Sequence, residues 1–286
     1  MEQVTCTAPI AILMATYNGE RYLAGQIASL LQQTCCDWQL FVHDDGSADS
    51  TPQLLQQYAA AHPGRITVLD YPPQGGSCRN FLSLLQRVGG ARYYMFCDQD
   101  DVWHSDKVAR TLQLMRQTEG DGTQPVIIHT DLRVVDAGLQ PLNDSFWHYA
   151  GLDPAAVTSF NDCVMNVVTG CTMLFNASAR SAALARPSRL ATMHDAWVTC
   201  CCYASRGLVV ALPEATIDYR QHGDNCLGAQ DSHRLTLRYR LRHFFEILSN
   251  HRATYRMLNS IAPYSPWTFL CSKAKKSSIF RSTSEG

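Results

Sequence analysis

With 286 residues, 46% of them apolar and 9% aromatic, the chain can pack one large α/β domain or two small ones, which excludes disorder of the whole chain. A formal net charge of −1 conceals a gradient: residues 1–233 hold 14 Lys/Arg against 23 Asp/Glu, and residues 234–286 hold 10 against 2. An acidic body with a basic tail points to a tail that meets phosphates or an anionic membrane surface, and the balance gives no expectation of a nucleic-acid partner.

Twelve cysteines fall singly or side by side, as in Cys35–Cys36 and Cys200–Cys201–Cys202, without a CxxC pair. That spacing gives neither a disulfide framework nor a zinc site, and several lie in apolar runs where a thiol behaves as a small hydrophobe. A reducing compartment follows as the expectation. Met1 to Pro9 shows no secretory signal, and no stretch approaches the roughly 20 apolar residues that span a bilayer. The expected location is cytoplasmic, or peripheral on the inner face of the cell membrane.

Ile10 to Thr16 reads as a strand ending in the turn Tyr17-Asn18-Gly19, followed by a helix with Leu23, Ile27, Leu30 and Leu31 on one face. Trp38 to His43 is a second strand, running into Asp44-Asp45-Gly46-Ser47, and a helix starts at Asp49 or Ser50 with Pro52 in its first turn. Arg65 to Tyr71 reads as strand, Ser77 to Val88 as helix, Arg92 to Cys97 as strand and Asp106 to Gln117 as helix. The less regular second half carries strands at Val126 to Val135, Val167 to Phe175 (interrupted by Gly170), Leu208 to Leu212 and Thr216 to Arg220. Asp195 to Ser205 reads as helix, and from Ser232 the pattern is helical and basic. This alternation predicts an α/β fold with a parallel sheet covered on both faces. Ligands bind such sheets beyond the carboxyl ends of the strands, and three strands end in polar clusters: Thr16-Tyr17-Asn18, Asp44-Asp45 and Asp98 to Asp101.

Asp98, Asp100 and Asp101 place three carboxylates within four residues, which repel one another unless a cation lies between them or water surrounds them. Hard oxygen ligands of this kind suit Mg²⁺ or Mn²⁺; the plainer reading is a solvated turn capping the next helix. Asp44-Asp45 reads either as a turn or as carboxylates that accept from a ribose or a base N–H. Asp195 reads as a helix cap or, beside an incoming hydroxyl, as a general base, with Trp197 as an apolar platform for a sugar. His222 reads as structural, or as a contact to metal or diphosphate.

Five motifs occur in order over roughly residues 8–228: Thr16-Tyr17-Asn18-Gly19-Glu20, Asp44-Asp45-Gly46-Ser47-Ala48-Asp49, Asp98-Gln99-Asp100-Asp101-Val102-Trp103, His194-Asp195-Ala196-Trp197 and Tyr219-Arg220-Gln221-His222-Gly223. Together they resemble the family 2 glycosyltransferases of the GT-A fold, in particular their rhamnosyltransferase-like branch. The resemblance implies a Rossmann-like, mostly parallel nucleotide-binding sheet over residues 1–230 and a C-terminal helical extension over 231–286. It implies that Thr16, Tyr17, Glu20, Asp44, Asp45 and Asp98 contact the nucleotide, and that Asp100, Asp101 and His222 face a Mn²⁺ or Mg²⁺ ion. Asp195 matches the base of inverting members, and Gly170-Cys171-Thr172 resembles a loop near the transferred sugar. The implied donor is a dTDP- or UDP-sugar, and the implied acceptor a carbohydrate, often lipid-linked.

In the tail, Arg234, Arg238, Arg240 and Arg242 precede Phe244, Phe245, Ile247 and Leu248, and Trp267, Phe269, Leu270, Lys273, Lys275 and Lys276 follow. This reads either as a surface-lying membrane segment or as a solvated helix packed on the body. Two other functions stay in view. A nucleotidyltransferase would carry a Gly-rich basic loop after the first strand, unlike Thr16 to Gly19, and a non-catalytic carbohydrate-binding protein would lack the acidic residues kept here.

Overall fold

A computed structural model describes residues 3–223 and 244–273. Its elements run β1 (Val4–Thr5), β2 (Ile10–Thr16), α1 (Glu20–Leu31), β3 (Trp38–Asp44), α2 (Thr51–Ala61), β4 (Ile66–Val68) and α3 (Ser77–Arg87). They continue with β5 (Val88–Gly89), β6 (Tyr93–Cys97), β7 (Val102–Trp103), α4 (Lys107–Thr118) and β8 (Val126–Val135). The second half adds β9 (Pro141–Asn143), α5 (Phe146–Ala150), β10 (Leu174–Asn176), α6 (Ala177–Leu184), α7 (His194–Ala204), β11 (Leu208–Arg220) and α8 (Phe244–Ile261).

Strand alternation creates two cores. Ile10, Ile12 and Met14 of β2 face one way and pack with Leu23 and Ile27 of α1 and Val108 and Met115 of α4. Ala11 and Leu13 face the other way, with Phe81 and Leu84 of α3, Trp197 of α7 and Met257 and Leu258 of α8. Continuous apolar strands buried on both faces are what a sheet covered by helices requires. Cys200, Cys201 and Cys202 all lie in the second core, and no disulfide joins cysteines among the described residues.

The sheet order is β4-β3-β2-β6-β10-β8-β11-β7, with β9 beside β8 and a separate β1–β5 pair. β4, β3, β2 and β6 are parallel, as are β8 and β11. The sheet is mostly parallel as expected, with β7, β9 and β10 pairing antiparallel. Between β8 and β10 the only α-helix is the five-residue α5, too short to lay a crossover across the sheet, so β10 enters reversed. The strand expected over Val167 to Phe175 is instead a 3₁₀ turn at Gly170–Thr172 followed by β10. Conversely, the two strands expected over 208–220 are one thirteen-residue strand, with register shifts between Leu212 and Asp218. Pro213 has no N–H for the ladder, and the strand bulges there rather than ending.

Arg234, Arg238, Arg240 and Arg242 of the expected amphipathic helix lie outside the described residues, as do Lys275 and Lys276. Met257, Leu258 and Ile261 of α8, then Tyr264 and Phe269, are buried against the body. Trp267 and Leu270 point outward, 73% and 60% exposed. No helix of the described residues is long and apolar enough to cross a membrane.

Trp197 is fully buried, and its Nε1 donates to Ala183 O at 3.1 Å. It is a core residue and offers no platform to a sugar, which corrects that expectation. Trp197→Ala should destabilise the protein by about 3–5 kcal/mol, read as a lower midpoint in denaturant titration.

Candidate active site

β3, β2 and β6 are neighbours and parallel, so their carboxyl ends lie along one edge and carry Thr16, Asp44-Asp45 and Asp98 to Asp101 there together. The loops leaving β2 and β3 are laced to each other. Thr16 Oγ1 donates to Asp44 Oδ1 at 2.9 Å, and the other Asp44 oxygen accepts from the N–H groups of Gly46 and Ser47. Asn18, at φ +47°, accepts from Ala48 N at 2.8 Å, while Glu20 Oε2 accepts from Ser50 N at 2.9 Å. Asp45 reaches a third loop, accepting from the N–H groups of Gln74, Gly75 and Gly76 ahead of α3. The side chains of Thr16, Glu20, Asp44 and Asp45 thus shape the edge, whereas the Tyr17 ring stands out of it, 58% exposed. Gln99 holds the Tyr17 backbone in both directions, accepting from its N–H and donating to its carbonyl, each at 2.9 Å.

Next to this edge β11 brings Arg220 and His222 against the acidic turn. Asp100 Oδ2 lies 2.8 Å from His222 Nε2, and Arg220 Nε donates to Asp100 O at 2.8 Å. Asp101 is fully buried; its Oδ1 accepts the Arg220 N–H at 3.2 Å, and its Oδ2 has no conventional donor among the described residues. Tyr22 of α1 covers this corner, with the Arg220 guanidinium 4.7 Å and the His222 ring 4.6 Å from its ring.

Asp195 enters from the opposite face of the sheet, in the first turn of α7. Its Oδ2 accepts from Gly170 N at 3.1 Å, and its Oδ1 from Ala196 N at 2.5 Å and Asn166 Nδ2 at 3.3 Å. Burial still pushes its carboxyl up to about 6, against those hydrogen bonds. The Asp98 carboxyl rises to about 7 through burial first, then through the nearby charges of Asp100 and Asp195. Asp101 is raised well above the carboxylate range for the first of these reasons and by Asp100 and Asp98. Asp98, Asp100 and Asp195 therefore share one electrostatic neighbourhood, with Asp45 across β2 from it.

His194, next to the base candidate, takes no part. Its ring is buried between Phe81 (4.1 Å) and Phe96 (4.8 Å), neither ring nitrogen has a partner among the described residues, and burial pulls it down to about 3. Gly170 is required by this packing, since a Cβ there would stand 2.3 Å from His194 Nε2.

Sequence reasoning passed over Gln99, Asn166 and Lys107. Gln99 sits inside a motif already singled out; Asn166 and Lys107 are brought in by tertiary packing alone, and nothing local marks them. Ligand atoms of Asp98, Asp101 and Cys171 lie within 4.8 Å of one another. Crowded carboxylates held above their ordinary range are the setting a divalent cation relieves, so the carboxylate donors of this turn fit Mg²⁺ or Mn²⁺. The Cys171 thiol beside Asp101 is too soft a donor for either.

A mixed sheet of this order, with acidic residues massed beyond the carboxyl ends of its parallel strands, is the GT-A arrangement. The chain superposes on S. aureus TarS (residues 1–349) with a TM-score of 0.59 at 14% identity, covering 96% of this chain and 90% of that one. It also superposes on the mannosyltransferase PcManGT of Pyrobaculum calidifontis, solved with GDP-Man and Mn²⁺, with a TM-score of 0.56 at 14% identity, covering 93% and 73%. Likeness at such identity speaks to fold alone. Glycosyl transferase family 2 matches residues 11–179, more than half of the chain, and the chain belongs to that family. It is 33% identical over 105 residues to the dTDP-rhamnosyl transferase RfbG of Shigella flexneri, 36% of each chain. It is 28% identical over 162 residues to TuaG of Bacillus subtilis, a putative teichuronic acid biosynthesis glycosyltransferase, covering 57% of this chain and 59% of TuaG. The chain thus spans less than two thirds of the length of these relatives.

Gly170→Ala should force the His194 ring out of its slot and draw the Gly170 N–H from Asp195, costing about 1–3 kcal/mol. Thermal melting checks the first effect, and donor turnover at a temperature where the variant is folded checks the second.

Proposed function

We propose that this protein moves a sugar from a nucleotide diphosphate donor to a hydroxyl of another carbohydrate, inverting the anomeric carbon, with Mn²⁺ or Mg²⁺ as cofactor. The observation that carries the reading is the joint placement of Asp195 and the Asp98–Asp101 turn in one electrostatic neighbourhood, reached from opposite faces of the sheet.

The exposed Tyr17 ring would lie against the base, and the Asp98 carboxyl would meet the ribose. Asp100, with His222 beside it and Asp101 beneath, would hold the divalent ion, which when bound supplies positive charge for the diphosphate leaving group. Asp195 would take the proton of the acceptor hydroxyl as that oxygen attacks the anomeric carbon from the face opposite the diphosphate. The C–O bond to the acceptor forms as the bond to the diphosphate breaks, so no covalent enzyme intermediate is needed. Gly170 N–H and Asn166 hold the carboxylate oriented for this role.

For the donor we favour dTDP-rhamnose, on the similarity to a dTDP-rhamnosyl transferase, ahead of a UDP-hexose. For the acceptor we favour a lipid-linked glycan of a bacterial surface polysaccharide such as O-antigen or capsule. A 32% identical relative over 108 residues, WfgD of Escherichia coli, is named for a GlcNAc-diphosphoundecaprenol acceptor. Such an acceptor would give the basic tail its use: Trp267 and Leu270 project from the body beside Lys273, facing an anionic membrane surface.

The test is incubation with several nucleotide sugars and Mn²⁺, following release of free nucleotide. Turnover of one donor, abolished by EDTA, is expected, and indifference to EDTA would remove the metal from the mechanism. Asp195→Asn should lower transfer by about 10²–10⁴-fold while donor affinity stays within a few-fold; unchanged turnover would take Asp195 out of the role. Because a base must be ionised and burial holds this carboxyl near 6, transfer should fall as pH drops through about 6. For the membrane, truncation is a poor probe, since α8 supplies Met257 and Leu258 to the core. Full-length Trp267→Ala/Leu270→Ala should instead float less with anionic vesicles than the parent, with neutral vesicles binding neither; equal flotation would refute the membrane face.

A further inference from the structure

Between Thr16 and Glu20 the loop leaving β2 is sewn to the loop leaving β3 at every residue but one. Thr16 O accepts from Asp45 N at 2.8 Å, and Asn18 N donates to Ser47 Oγ at 2.8 Å. Gly19 N donates to Thr51 Oγ1 at 2.8 Å and Glu20 N to Asp49 Oδ2 at 3.1 Å. Tyr17 is the exception. Its backbone is bonded instead to the Gln99 side chain, whose Oε1 accepts the Tyr17 N–H and whose Nε2 donates to the Tyr17 carbonyl. The amide stands in for a neighbouring peptide, and its orientation is fixed, because a flipped amide would set donor against donor and oxygen against oxygen. Room for it is left by Gly19, where a Cβ would overlap Gln99 Oε1. Gly19 lies at φ −103°, a negative value that does not demand glycine, so the residue is needed there for space. Gln99 itself stands between Asp98 and Asp100. A glutamate in its place would add a further carboxylate to the turn and could not donate to Tyr17 O.

We propose that Gln99 is a positioning residue for nucleotide binding: its amide fixes the Tyr17 peptide, and through it the aim of the exposed Tyr17 ring at the base of a nucleoside diphosphate. The role rests on the reading above that Tyr17 lies against the base; the clamp itself does not. A ring projecting from an untethered peptide has to be ordered when its ligand arrives, and that ordering subtracts from affinity. The clamp settles the peptide beforehand. Because Gln99 belongs to the acidic turn, it also sets the base contact at a fixed place relative to Asp98 and Asp100. Gly19 is the second part of the same device, since only an absent side chain admits the amide.

Two substitutions remove the clamp by different routes. Gln99→Ala deletes the amide, and Gly19→Ala pushes it out while Gln99 stays in the chain. Each should weaken binding of dTDP or UDP, measured by calorimetry with Mn²⁺ present, by about tenfold, the effect of two hydrogen bonds exchanged with water. Turnover at saturating donor should stay within about threefold of the parent, since the clamp serves the base contact and not the reacting centre. Gly19→Ala/Gln99→Ala should bind no more weakly than Gln99→Ala, because without the amide the added methyl has nothing to displace. Additive losses, or an unchanged nucleotide affinity in Gln99→Ala, overturn the proposal. Amide hydrogen exchange, followed by NMR, separates the clamp from a general loosening. In Gln99→Ala the Tyr17 N–H should exchange about tenfold faster, while the Asn18 N–H, bonded to Ser47, keeps its parental rate. Equal Tyr17 rates, or a loss that spreads to Asn18, refute the clamp. Should the parent bind neither dTDP nor UDP, the nucleotide-donor reading falls and the positioning role with it, while the exchange rates still decide the clamp.

Discussion

The constraint on which this structure turns is the compensation of negative charge beyond the carboxyl ends of β6 and β11. Two kinds of acidic residue are built into the same sheet. Asp218 accepts from His104 Nε2 at 2.9 Å and from the Arg133 guanidinium at 2.8 Å; those partners outweigh its partial burial and hold it down to about 2. Asp195 is buried and Asp98 half-buried, neither with an ion-pair partner among the described residues. Burial together with neighbouring carboxylates pushes Asp98 up to about 7, while burial alone pushes Asp195 up to about 6. A paired carboxylate is finished structure, whereas an unpaired one in a buried setting stores unfavourable energy that only a ligand or a proton relieves. The contrast separates scaffold from site without appeal to motif.

The scaffold holds the unpaired groups in place through backbone hydrogen bonds. Asp44 and Asp45 together tie down residues 46–47 and 74–76, and Gln99 fixes Tyr17 to the acidic turn. These are short, local bonds between loops that leave adjacent parallel strands, so the rigidity of the sheet is passed directly to the edge. The Tyr17 ring projects from it, 58% exposed, which suits a contact whose partner arrives from solution.

Much of this was legible in the sequence because the first half obeys simple periodicity. Ile10 to Thr16 and Trp38 to Asp44 are apolar strands that end abruptly in polar residues, and α1, α3 and α4 show their buried stripes plainly. The start and direction of β10 could not be read: three residues following a 3₁₀ turn carry too little pattern to show them, and the direction depends on which strands were already paired. Pro213 misled in the opposite sense, dividing on paper a strand that bulges in space. At the site, motif spacing brought Asp98, Asp100, Asp195 and His222 into view. The same spacing also suggested Trp197 as a sugar platform, because helical neighbours of a functional residue cannot be sorted into core and surface until the helix is docked. Lys107 was invisible for the converse reason, since a lysine at the start of a helix ordinarily faces water.

In the role proposed for it, Asp195 would set activity and stability against each other. Unfolded, its carboxyl titrates near the ordinary 3.8; folded, burial moves it to about 6. A raised acid binds its proton more tightly in the folded state, so its contribution to stability is greatest below the unfolded value and declines as pH climbs from about 4 to about 6. Above that range the folded protein carries an ionised carboxylate that it would rather protonate, which is the condition a general base needs. The N–H groups of Gly170 and Ala196, together with the α7 amino-terminal dipole, limit the cost without cancelling it. Stronger compensation, such as a guanidinium in place of Asn166, would stabilise the fold and lower the basicity of the same oxygen. Among the described residues the Asp195 carboxylate is held by neutral donors, Gly170 N, Ala196 N and Asn166 Nδ2, and that choice of partner, more than the position of the carboxylate, suits the role of proton acceptor proposed for it.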